Sequence, residues 1–151
     1  MINAGLFQVA KKLIKHAKKQ VRKEVCWSLS NVTAGSKDLI QQVINSGLID
    51  ELIERVKTDD PLVQNEAVWA LANTSQNASP DQATCLVGKD IINALCSVLD
   101  SSSQSQLLMV AMTGLANMLK FGQDYFCDEK GENLFATELE MCGGVDKLEE
   151  L

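Results

Sequence analysis

This 151-residue sequence is poor in groups that carry chemistry by themselves: one histidine, two prolines, one tyrosine, two tryptophans and no closely spaced cysteine pair. Cys26, Cys85, Cys96, Cys127 and Cys142 are odd in number and scattered, so with a single histidine they signal neither a disulfide framework nor a zinc site. Reduced thiols are expected. His16 lies in the lysine-rich stretch from Lys11 to Lys19, no glycine-rich phosphate loop is present, and no Ser/His/Asp or Cys/His set can be argued into contact. No enzyme activity, cofactor or metal is therefore expected, and the thiols and the methionines Met109, Met112 and Met118 are assigned to packing or to bland surface. Scarce proline, with 46% hydrophobic and 23% charged residues, excludes disorder, collagen-like sequence and low-complexity filler. Long apolar runs are missing too. The longest, Leu107 to Ala116, contains Thr113 and Gly114 and is too short for a bilayer, and the N-terminus has no charged leader ahead of an apolar block. These features predict a soluble protein with no membrane partner.

Acidic residues outnumber basic ones, 20 to 14, giving a formal charge of −6 that argues against nucleic acid and favours a basic ligand. The charge is uneven. Residues 1–23 hold seven bases and no acid, whereas residues 121–151 hold nine acids and two bases. Such runs usually form solvated helix faces.

What the sequence does have is a repeat, with a period of about 42 residues. Cys26-Trp27-Ser28-Leu29-Ser30-Asn31 returns as Val68-Trp69-Ala70-Leu71-Ala72-Asn73 and again, weakened, as Met112-Thr113-Gly114-Leu115-Ala116-Asn117. Independently, Ile2-Asn3-Ala4-Gly5-Leu6 returns at the same offset as Ile44-Asn45-Ser46-Gly47-Leu48, with later copies opening at Asp90-Ile91 and Gly144-Val145. Two unrelated markers share one period. Asp60-Pro61 and the capping box Ser79-Pro80-Asp81-Gln82 mark helix starts, and Gly35, Gly47 and Gly122 are placed where helices should stop. Each full unit should hold a short helix (near 37–45), a medium one (48–57) and a long one (61–75), with no strand. The expected fold is all-α, in units of about 1–35, 36–78 and 79–122 and a partial unit 123–151.

In the long helix, Val21, Val25, Leu29 and Val32 form one narrow stripe, repeated as Val63, Ala67, Leu71 and Thr74 and as Leu107, Ala111, Leu115 and Met118. That stripe is the expected seam. Trp27 stands about 200° around from Val25 and one turn before Asn31, so the pair shares a face pointing away from the seam. Trp69 and Asn73 repeat the arrangement. Aligned aromatics off the seam suggest a binding surface. Stacked helices lie about 8–10 Å apart and an extended chain advances about 3.3 Å per residue, so a strand-like peptide crossing them meets a Trp about every three residues. Asn31 and Asn73 can both donate to and accept from its backbone, slots between indole rings suit Lys or Arg stems, and Glu66, with Glu24 one period earlier, can pair the charged heads.

The segments Glu24–Gly35, Asn65–Thr74 and Cys142–Leu151 resemble the importin-α family of nuclear transport adaptors, and the likeness covers essentially the whole chain. The resemblance implies a right-handed armadillo solenoid of stacked three-helix units, here about repeats seven to nine with the start of the tenth, and hence a piece of a longer array. It implies binding of basic nuclear localisation signals at a minor site, where Trp27, Asn31, Glu66, Trp69 and Asn73 match the motif, with Glu24, Ser30 and Asn117 as secondary positions. It also implies shuttling between cytoplasm and nucleus, and engagement of importin-β and an export receptor only through parts missing or incomplete here. Two departures stand out. Thr113 replaces the third Trp, so the groove should fade there. The stretch from Asn117 to Gly144 is much longer than its counterpart from Asn31 to Gly47, which predicts an acidic loop inserted around residues 121–133 that contains Asp124, Asp128, Glu129 and Glu132. The competing function is an armadillo scaffold that holds folded partners on its outer faces through the lysines of residues 5–17.

Overall fold

A computed structural model describes residues 4–100 and 103–151. Helices α1 (Ala4–Leu13) and α2 (Lys19–Thr33) precede two three-helix sets, α3 (Lys37–Asn45), α4 (Leu48–Thr58) and α5 (Pro61–Asn77), then α6 (Pro80–Gly88), α7 (Ile91–Cys96) and α8 (Ser105–Tyr125). A last pair, α9 (Leu134–Met141) and α10 (Gly144–Glu149), completes the order. The all-α expectation holds. Among the described residues the only strand-like pairing is an isolated bridge between Cys127 and Asn133, and no helix is long and apolar enough to cross a membrane.

Local chemistry sets the helix starts. Asp60 accepts from the Leu62 amide ahead of Pro61, and Ser79 and Gln82 close a reciprocal capping box. Before α4, α7 and α10 the chain turns through left-handed residues, Gly47 at φ 79° and Gly143 at φ 75°, with Asp90 holding the same conformation at φ 75°. Gly122 behaves otherwise. It lies within α8, which continues to Tyr125, because its missing Cβ leaves room for the Asn133 side chain. Asn133 Nδ2 donates to the Leu119 carbonyl while its Oδ1 accepts from the Phe135 and Ala136 amides, so one residue both caps α9 and fastens it to α8. Five residues of the expected insertion, 121–125 with Asp124, thus continue α8, while 126–133, with Asp128, Glu129 and Glu132, form the expected loop.

The predicted seam is the core. Val63, Ala67, Leu71 and Thr74 are fully buried, as are Ala111 and Met118, with Leu107 and Leu115 nearly so. In α2 only Leu29 of the stripe is buried; Val21, Val25 and Val32 are half-exposed and, with Leu6, Val9 and Leu13, line an apolar cleft of about 400 Å³. Parallel long helices are tied in register by polar groups. Thr33 Oγ1 donates to the Ala70 carbonyl at 3.0 Å, and Asn73 Nδ2 donates to the Ser30 carbonyl at 2.9 Å. Gln82 reaches back from α6 to the Lys37 carbonyl at 2.9 Å.

Ion pairs link successive sets. Arg22 Nε and Nη2 donate to the two carboxylate oxygens of Asp59, each at 2.8 Å, and Arg55 adds a third contact at 3.2 Å. The Asp59 side chain is 2% exposed. Burial alone would raise its pKa, but the Arg22 hydrogen bonds, the Asp60 amide and the Arg55 charge together hold the carboxyl below its ordinary value. The ionised form therefore belongs to the folded state. Its contribution is complete above the unfolded value near 3.8 and is lost as pH falls through the folded value. Asp59→Asn leaves two arginines uncompensated and should lower stability by about 2–4 kcal/mol in urea unfolding at pH 7. The gap between variant and wild type should close as pH falls through the lowered folded value; a pH-independent gap would contradict this role.

Candidate functional site

Trp27 lies on α2 and Trp69 at the matching place on α5, against which α2 packs. Trp27 is 53% exposed, whereas Trp69 is half-buried against the core. The preceding residues behave oppositely: Cys26 and Val68 are fully buried, so each indole stands off the seam. Burial, followed by the neighbouring Asp59 charge, pushes the Cys26 thiol up to about 12, which makes it inert packing.

The polar residues divide. Asn31 is exposed and its side chain makes no hydrogen bond among the described residues, so its full donor and acceptor capacity faces solvent. Asn73 is half-buried, and one of its amide protons is committed to Ser30. The Ser30 hydroxyl, itself buried, donates to the Trp27 carbonyl at 2.6 Å and is turned back into its own helix. Glu66 is half-buried with no ion pair among the described residues, and Glu24 is exposed and accepts from Gln20 at 2.8 Å. Asn117 on α8 donates to Ser75 Oγ at 3.3 Å, which repeats the reach of Asn73 back to the preceding long helix. Thr113, at the third tryptophan position, is exposed, and its hydroxyl donates to the Met109 carbonyl of its own helix.

These positions form one row across α2, α5 and α8. Asn77, which the sequence pattern did not single out, extends it: its amide reaches the Thr33 carbonyl at 3.4 Å. An asparagine one turn beyond Asn73 was the available signal. No group of His, Cys, Asp or Glu suited to a metal ion occurs among the described residues. The basic N-terminal run is partly spent on structure, since Lys15 pairs with Glu51, Lys19 with Asp60 and Arg22 with Asp59.

The two asparagines should therefore differ in stability. Asn73→Ala, which strips a partner from the Ser30 carbonyl, should cost about 1 kcal/mol, and Asn31→Ala less than about 0.5 kcal/mol. Chemical denaturation of the two variants checks this; equal costs would contradict the division of roles.

The profile of the Armadillo/beta-catenin-like repeat matches residues 36–76, the stretch that holds α3, α4 and α5. Importin subunit alpha-4 of Arabidopsis thaliana is 34% identical over 144 residues, and importin subunit alpha-1a of Oryza sativa subsp. japonica is 36% identical over 140. Each alignment takes in 92% of this chain and 26% of the relative, so the chain spans about a quarter of their length. Among solved structures, a designed armadillo repeat protein superposes with a TM-score of 0.77 at 25% identity, over 94% of this chain and 55% of that one. A second, in complex with the peptide (KR)4, gives 0.71 at 22% identity over 97% of this chain and 74% of that one, a likeness of fold. Helices, repeat and relatives agree: the chain forms an armadillo solenoid and belongs to the importin-α family.

Proposed function

We propose that this chain works by binding, as part of a nuclear import adaptor, and that its ligand is a basic nuclear localisation signal lying extended across α2, α5 and α8. One observation carries the reading: Trp27, a residue costly to expose, stands more than half open to solvent directly beside an unpartnered Asn31, one period from a second Trp/Asn pair. Lys or Arg stems would pack against Trp27 and Trp69. Asn31 offers a complete backbone clamp, and Asn73 offers its carbonyl oxygen and remaining amide proton. Glu66, free of internal pairing, would take a cationic head, with Glu24 and Asn117 at the margins. Ser30 would act through its carbonyl, as the anchor that fixes Asn73, because its hydroxyl is already engaged.

Family membership supports the same reading: basic signal-bearing cargo as partners, residence in both cytoplasm and nucleus, no catalysis, and a division into units near residues 36, 79 and 123. An outer-face scaffold through the lysines of residues 5–17 is the second reading: Lys15 is paired with Glu51, while Lys11 and Lys12 are exposed and make no ion pair among the described residues.

Calorimetric titration with a two-cluster Lys/Arg signal peptide tests the proposal. Trp69→Ala and Trp27→Ala should each weaken binding about 5- to 30-fold, the value of a desolvated cation over an indole face. Affinity unchanged by both substitutions would overturn it.

A further inference from the structure

The chain has seven aromatic residues, and four of them gather in one corner where α8 runs past the row of asparagines. α2 ends two residues beyond Asn31 and α5 four beyond Asn73, but α8 continues eight beyond Asn117, to Tyr125. This added length forms one wall of a cleft of about 270 Å³ lined by Ser75, Asn117, Lys120, Phe121, Asp124 and Tyr125. Tyr125 is 60% exposed yet not adrift. Its ring lies 6.3 Å from Phe121 and 6.3 Å from Phe126, which stacks at 5.0 Å on the buried Phe135. A large ring is thus held at the surface by a chain of rings that ends in the core. Beside it Asp124 is exposed and makes no ion pair among the described residues.

We infer that this cleft is a third subsite, taking an arginine side chain of the groove-bound peptide where it crosses α8; this rests on the groove reading above. A guanidinium is planar, so it can stack on Tyr125 and present two N–H groups to the Asp124 carboxylate, a combination a lysine ammonium does not reproduce. Reach is adequate. Side chains on a helix tilt toward its N-terminus, which brings the Asp124 carboxylate back toward Asn117, and a long arginine stem covers the rest. With Thr113 in place of a third indole, Tyr125 supplies the ring from the other end of the same helix. Lys120, one turn before Asp124 and exposed, works against the incoming cation.

Binding of labelled peptides by the intact chain, read by fluorescence anisotropy, tests the subsite. The two-cluster peptide is compared with versions extended at either end by Gly-Ser-Arg, Gly-Ser-Lys or Gly-Ser-Ala. The arginine extension at one end should bind about three- to tenfold tighter than the alanine extension, and the lysine extension should recover less than half of that gain. Within each variant the same ratio is read: it should fall below twofold in Tyr125→Ala and in Asp124→Asn and rise in Lys120→Ala, with helical content checked by circular dichroism. Equal binding of the arginine and alanine extensions to the wild-type chain, or a gain that survives both substitutions, overturns the subsite while the groove stands. Failure of the unextended peptide to bind overturns the groove and the subsite together.

Discussion

The register of α2 against α5 decides where everything else falls. Two parallel amphipathic helices with matching apolar stripes could slide by a turn and still bury much of their surface, because dispersion and hydrophobic contact are not directional. The polar groups remove that freedom. Thr33 to Ala70, Asn73 to Ser30 and Asn77 to Thr33 are helix-to-helix bonds that can form at one offset only, and Asp59 clamps the same offset from the other end through Arg22. Because that offset is one sequence period, Trp69 stands one helix beyond Trp27 at an equivalent height.

This arrangement gives the asparagines a second employment. The row of amides proposed above to hold a peptide also fastens α5 and α8 to the long helix before each. Asn73 and Asn117 spend donors this way, while Asn31 has no earlier long helix among the described residues and keeps its amide whole. A carboxamide with two donors and a two-lone-pair acceptor can serve both purposes at once.

Much of the architecture was legible in the sequence, for physical reasons. The return of Trp-x-x-x-Asn marked the long helices α2 and α5, and side-chain caps at Asp60 and Ser79 marked helix starts whose chemistry is local. What escaped was non-local. Gly122 has the look of a helix stop, yet its role is to admit Asn133, which lies well beyond it in the chain and is brought close only by the fold. For the same reason the start of the acidic insertion was expected as loop, although a chain of ring contacts from Phe121 through Tyr125 and Phe126 to Phe135 accompanies a helix that runs on to Tyr125. Trp69 likewise sits deeper than Trp27, a difference that identical motifs cannot encode. The candidate site residues were legible as a row, but which of their hydrogen-bonding groups remain free was not.

The central claim is that the two indoles share one ligand-facing row. A chain with two tryptophans gives two indole N–H resonances, so a 15N-edited NMR titration with a two-cluster basic peptide reads both at once. Assigned by Trp→Phe substitution, both should shift along the same saturation curve. Saturable peptide binding that leaves both indole signals in place would contradict the account.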